Sequence, residues 1–257
     1  MVYQALNYQK TDKVMLVSII GPVDSQLKLN RLSDELRELC AEIDWDEEIR
    51  VVILGGVGEI PFLMGKGSNS PVPKASEEQA IQFSSMAEEV AKLDKPVIAA
   101  IDSNAIGQGL ELTLACDMRI ATETSRFGLP HVHTGIIPWD GGTQRLSRLV
   151  GKSKALEMIL TGEIVDAQDA YRTGLVNRVV PSGDLMGMVI DLAKEMASKG
   201  PIALRYTKEA IYKGMDMTLE EGLRLEADLY LLLHTTRDRT EGISAFREKR
   251  IPTFVGK

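Results

Sequence analysis

The chain has 257 residues, 44% of them hydrophobic and 26% charged, enough apolar sequence for one sizeable core. Lys and Arg number 30 against 37 Asp and Glu, a formal net charge of −7 and the wrong sign for a general nucleic-acid binder. No apolar run approaches the roughly 20 residues of a membrane helix, the opening MVYQALNYQK lacks the apolar core of a secretory signal, and the two cysteines, Cys40 and Cys116, form neither a CxxC pair nor a disulfide framework. The expectation is a soluble, cytoplasmic protein without structural zinc and without a nucleic-acid or membrane partner.

Val14 to Ile20 is a short run rich in branched apolar residues, stopped by Gly21-Pro22, and reads as a buried strand and a turn. From Leu29 to Ile43, Leu32, Leu36, Leu39 and Ile43 recur at three- and four-residue spacing, which predicts an amphipathic helix. Arg50 to Leu54 is a second strand. The Gly65 to Pro73 stretch reads as a mobile loop near a site. A helix follows between Ser76 and Leu93, then a strand from Val97 to Ile101, a helix from about Gly109 and a strand from Met118 to Ala121. The alternation argues for α/β architecture. Beyond Ser153 the pattern is mainly helical, with segments at Ala155 to Leu160, Ala167 to Thr173, Leu185 to Ser198, Ile202 to Lys213 and Leu219 to Thr235, punctuated by Gly151, Gly162, Gly174 and Gly200. A soft boundary falls near residue 200.

The block KPVIAAIDSNAIGQGLELTLACD, Lys95 to Asp117, carries the most chemical information. A buried strand runs into Gly107-Gln108-Gly109, and a helix then places Glu111 in its first turn. Small residues let a ligand approach the backbone, and free amides at a helix start can hold a developing negative charge. A Gly-rich turn is also an ordinary packing device, and Glu111 also complements the helix dipole. Spacing alone leaves both readings open. The chain contains no P-loop, no GxSxG nucleophile elbow and no ligand cluster with zinc spacing.

Four segments taken together go further. The block above, then FGLPHVHTGIIPWDGGTQRLSRLVG, LTGEIVDAQDAYRTGLVNRVV and EGISAFREKRIPTF, resemble in that order the crotonase, or enoyl-CoA hydratase/isomerase, superfamily. The resemblance implies an α/β fold: a spiral core of ββα units over residues 1–200, and a helical region over 201–257 that closes the coenzyme A site and builds a homotrimer or homohexamer. It also implies an acyl-CoA substrate whose thioester enolate is held by two backbone amides. No cofactor is expected, since coenzyme A arrives as part of the substrate, and no metal.

Carried over residue by residue, the two oxyanion-hole amides belong to Gln108, where the family usually has glycine, and to Lys66 in FLMGKG, with Gly107 and Gly109 lining the substrate beside them. Glu111 matches the first catalytic glutamate. The second is replaced by His131, whose imidazole can both donate and accept near neutral pH. His131 is weighed against a role as a packed wall residue, and His133 is expected on the opposite side if the segment is extended. Asp140 is a further catalytic candidate. Trp139 would narrow the acyl pocket, and Tyr230 and Lys249 fall where relatives contact the nucleotide of coenzyme A across a subunit boundary. The implied activity is hydration of an unsaturated acyl-CoA, with a cyclic dienoyl-CoA as the narrower expectation. Double-bond isomerisation and thioester hydrolysis are the alternatives within the superfamily, and a non-catalytic binding or assembly protein is the alternative outside enzymes.

Overall fold

A computed structural model describes residues 3–21, 23, 25–56 and 85–257. Lys66, the Gly65 to Pro73 loop and the first part of the helix expected from Ser76 lie outside the described residues. The chain opens with the antiparallel hairpin β1 (Leu6–Thr11) and β2 (Val14–Ile19), turning at Asp12, whose φ of 53° is a left-handed value that a short polar side chain tolerates. Helix α1 (Gln26–Trp45) follows, then β3 (Val51–Gly55), α2 (Met86–Lys92), β4 (Val97–Ile101), β5 (Ala105–Ile106), α3 (Gln108–Leu114), β6 (Met118–Thr122), β7 (Arg126–Gly128) and a 3-10 turn over Pro130–Thr134. Next come α4 (Gly142–Val150), α5 (Lys152–Thr161), β8 (Ile164–Asp166), α6 (Ala167–Arg172), β9 (Arg178–Val180) and α7 (Leu185–Ala197). Helices α8 (Pro201–Gly214), α9 (Leu219–Leu233) and α10 (Arg237–Glu248) complete the described chain.

The large sheet has the order β1-β2-β3-β4-β6-β9, parallel throughout except at the β1–β2 hairpin. Its central strands are buried on both faces, which is why β3 and β4 read as continuous apolar runs and not as alternating ones. Successive side chains divide between two cores. Val52 and Leu54 join the cluster under α1, with Leu32, Leu36, Leu39 and Ile43, whereas Val51 and Ile53 join Val189 and Ala193 of α7. The three- and four-residue spacing seen in the sequence is the stripe of α1 that meets this sheet.

A small second sheet, β5-β7-β8, sits beside the first. The chain passes from large sheet to small sheet twice, from β4 to β5 and from β6 to β7, and each time enters helical structure afterwards. That repeated passage is the ββα spiral, and it brings the starts of α3 and of the Pro130–Thr134 turn next to each other: the Gly107 amide donates to the Gly128 carbonyl at 2.9 Å. The helical region is tied to the core by two cations, Arg50, which is buried, and Lys208, which is partly buried. The Arg50 guanidinium donates to the carbonyls of Ala197, Lys199 and Phe254 at 3.1, 3.3 and 2.6 Å, and Lys208 Nζ reaches Asp117 Oδ2 and the Lys95 carbonyl, both at 2.9 Å. Among the described residues no helix is long and apolar enough to cross a membrane.

The sequence reading names neither β1 nor the short strands β5, β7, β8 and β9, nor α4 and α10. Strands of two or three residues are too short for an alternating pattern to register. His133 is also placed differently: the segment is 3-10 helical and not extended, so side-chain alternation does not apply, and its Nε2 lies 3.2 Å from the Thr161 carbonyl.

Candidate active site

Helix α3 begins where the backbone turns sharply out of β5. Gly107 caps it at φ 63° and ψ −127°, a conformation that L side chains rarely adopt. Gln108 is the first helical residue, and Glu111, one turn on, is completely buried. A buried carboxylate needs hydrogen-bond partners to remain tolerable. Glu111 has them on one oxygen only: Oε1 accepts from the amides of Asp140 at 2.8 Å and Gly142 at 2.9 Å. Oε2 is also buried, but among the described residues it accepts no hydrogen bond, and the His131 Nε2 atom lies 3.6 Å from it. One oxygen is therefore held in place and the other is left without a hydrogen bond among the described residues.

The Asp140-Gly141-Gly142 run exists to make that grip. Gly141 adopts φ 96°, which turns successive amides towards one point. At Gly142 a Cβ would lie 2.9 Å from Glu111 Oε1 and 2.7 Å from Pro138 Cβ, so only glycine lets the backbone come this close. The Asp140 carboxylate turns the other way. It accepts hydrogen bonds from the Ser85 hydroxyl and, at 3.1 Å, from the Ala87 amide at the start of α2, while its carbonyl accepts from Arg145 at 3.0 Å. Ser85 caps α2 as well, accepting from the Glu88 amide at 2.9 Å. Asp140 thus locks the loop that holds Glu111, and its charge reaches the site through space.

Electrostatics follow from burial. The Glu111 carboxyl is raised from its ordinary 4.5 to about 7, chiefly because burial disfavours its charge; the Asp140 charge adds to this, and the two backbone amides work against it. His131, 1% exposed, is lowered from 6.5 to about 4 by burial, opposed by a hydrogen bond with the Leu129 backbone. Near neutral pH the imidazole is neutral while the carboxyl stands close to its midpoint. That is the condition for moving a proton on and off one group while the other orients.

The remaining residues expected to act fall into two groups. Gln108 lies on the same helix as Glu111, and its side-chain oxygen is buried without a hydrogen-bond partner among the described residues. Trp139 is half-buried beside Asp140. Tyr230 and Lys249 stand apart, exposed on α9 and just past the end of α10, and no hydrogen bond or ion pair among the described residues joins them to Glu111 or His131. Tyr230 instead stacks edge-on against His234 at 4.8 Å. Sequence reasoning misses Gly142 and Ser85. The paired glycines after Asp140 are the available signal for the first; nothing local marks the second.

Comparison with known proteins agrees with this arrangement. Residues 10–257 match the family model for enoyl-CoA hydratase/isomerase. A crotonyl-CoA hydratase of Syntrophomonas wolfei is 34% identical over 261 residues, covering all of both chains, and a short-chain-enoyl-CoA hydratase of Clostridium acetobutylicum is 38% identical over 250 residues, covering 94% of each. The crystal structure of an enoyl-CoA hydratase from Bacillus anthracis superposes with a TM-score of 0.89 at 39% identity, covering 99% of this chain and 100% of that one. With the spiral core, the Gly107 turn and the buried Glu111 lying in a chain that matches such relatives over nearly its whole length, the protein belongs to the enoyl-CoA hydratase/isomerase family, the crotonase superfamily.

Proposed function

We propose that this chain catalyses the reversible addition of water to an α,β-unsaturated acyl-CoA thioester. The observation that carries the reading is the divided Glu111 carboxyl, one oxygen pinned by two amides and the other turned to His131 at 3.6 Å. In the hydration direction ionised Glu111 takes a proton from water as the water oxygen bonds to the β carbon. The electron pair of the double bond moves towards the thioester, whose oxygen is held by the amides of Gln108 and Lys66. Glu111 then returns the proton to the α carbon, so that the elements of one water molecule are added and no group is consumed. His131, held neutral by its burial, orients the water; an imidazolium there would be too costly to serve as the acid. One oxyanion donor is worth roughly 2.7 to 4 kcal/mol in comparable enzymes, so the hole supplies a large share of the rate.

Short unsaturated thioesters are the first substrates to try, because the similar hydratases of Syntrophomonas and Clostridium are named for them. A cyclic dienoyl-CoA is the second, on the strength of Trp139 and the His131 replacement. The homotrimer or homohexamer expected for the family is consistent with exposed apolar residues on the C-terminal helices, including Leu219, Leu223 and Phe246. Tyr230 and Lys249 would then meet the nucleotide part of coenzyme A at the boundary between copies.

Purified protein given crotonyl-CoA in heavy-oxygen water should yield 3-hydroxybutyryl-CoA carrying the solvent oxygen, detected by mass spectrometry. Isomerised thioester without label would make the protein an isomerase. Free coenzyme A with a labelled acid would make it a hydrolase. Binding without turnover across an acyl-CoA panel would leave a binding protein.

A further inference from the structure

Gln108 stands where the family usually has glycine, so its side chain has no assigned work. It is also costly. The residue is only 6% exposed, and its Oε1 is buried with no hydrogen-bond partner among the described residues. A carboxamide oxygen removed from water and left unpaired is a group that folding does not satisfy, and a bound ligand's donor would satisfy it.

Position on the helix says which donor. Gln108 and Glu111 are three residues apart on α3, neighbours on one helix face. Each presents a buried acceptor, Gln108 Oε1 and Glu111 Oε2, that accepts no hydrogen bond among the described residues. Two unsatisfied acceptors from residues one helical turn apart suit a small group with an O–H to share. In the reaction proposed above that group is the attacking water, which becomes the β-hydroxyl of the product.

We propose that the Gln108 carboxamide accepts a hydrogen bond from this oxygen, holding the water in hydration and the β-hydroxyl in dehydration, as a positioning residue beside Glu111. The inference rests on the hydratase reading, and it assigns the side chain a task separate from that of the Gln108 backbone amide, which any residue at this position would supply. The proton transfers are unchanged: one water hydrogen goes to Glu111 while the other is donated to Gln108, which neither gains nor loses a proton.

The test uses binding, so that it stands apart from turnover. Affinities of the wild type, Gln108→Leu and Gln108→Gly for 3-hydroxybutyryl-CoA and for butyryl-CoA, which differ only in the hydroxyl, are measured by calorimetry. The wild type should prefer the hydroxylated ligand by about tenfold, roughly 1.4 kcal/mol, and both variants should lose that preference while keeping their affinity for butyryl-CoA. Two variants guard against one that misfolds. In a competent fold the same substitutions should lower kcat for crotonyl-CoA hydration more than they raise KM. A wild type without the preference, or variants that retain it, overturns the proposal. Absence of hydration in a wild type that still prefers the hydroxylated ligand would instead strike the hydratase reading and leave the contact standing.

Discussion

Replacing Glu111 with glutamine should remove most of the turnover and, above neutral pH, make the protein more stable. The native state holds the Glu111 carboxyl at about 7 against 4.5 in the unfolded chain, so it retains a proton that the unfolded chain has already lost. The stability this group contributes is complete below pH 4.5 and is lost as pH rises through about 7. His131 has the opposite sign. Its native value of about 4, against 6.5 unfolded, contributes stability above pH 6.5 that is lost as pH falls through about 4. Each displacement corresponds to about 3 kcal/mol. Over the acid range the two slopes oppose each other in the wild type and largely cancel.

The Glu111→Gln substitution keeps the shape and the acceptor that the Asp140 and Gly142 amides need, while removing the charge. The variant should match the wild type near pH 4.5, exceed it by up to about 3 kcal/mol near pH 8, and show the His131 slope uncovered between them. Urea unfolding of both proteins at one concentration and a series of pH values measures this directly. Activity on crotonyl-CoA should fall by roughly 10² to 10⁴-fold. A variant less stable than the wild type near pH 8, or a difference independent of pH, would mean that the carboxylate sits comfortably ionised in the fold. The account of a proton poised near neutrality would then fail.

Two further outcomes separate structural from chemical roles. Asp140→Asn retains the backbone amide that holds Glu111 but removes a charge that raises the Glu111 carboxyl, so the pH–rate profile for hydration should move to lower pH with its maximum within roughly threefold of the wild type; a collapse of the rate at every pH would make Asp140 a catalytic group instead. Lys249 adopts φ 54° after α10, where the Arg250 and Lys249 amides close onto the Ala245 and Phe246 carbonyls at 3.0 and 3.3 Å, a helix end that favours glycine. Lys249→Gly should therefore raise stability by about 1 kcal/mol in thermal or urea unfolding, while weakening coenzyme A binding in a titration if the ammonium meets the nucleotide, and unchanged affinity would remove Lys249 from the ligand site.

The sequence by itself determined the layers and pointed to the Gly107–Glu111 turn as the place to look for a site. The runs at Val14, Arg50 and Val97 read as buried strands because they are short and rich in branched apolar residues, and those at Arg50 and Val97 are buried on both faces, while the leucines of α1 form a stripe because they recur with the helical period. Gly107 and Glu111 announced a backbone-lined turn running into a helix. Only the tertiary structure decided what that carboxyl experiences. Its partners come from residues 29 and 31 positions further on, and His131 approaches from a separate turn of the spiral. Asp140 is a further catalytic candidate in the sequence, and only the fold shows its carboxylate accepting hydrogen bonds from the Ser85 hydroxyl and the Ala87 amide. Short strands such as β5 and β7 left no periodic trace, yet their pairing is what brings Gly107 against Gly128 and closes the site. Burial, proximity and the direction of a hydrogen bond belong to the folded chain: they depend on which distant segments desolvate a group together, and local residue order does not specify that.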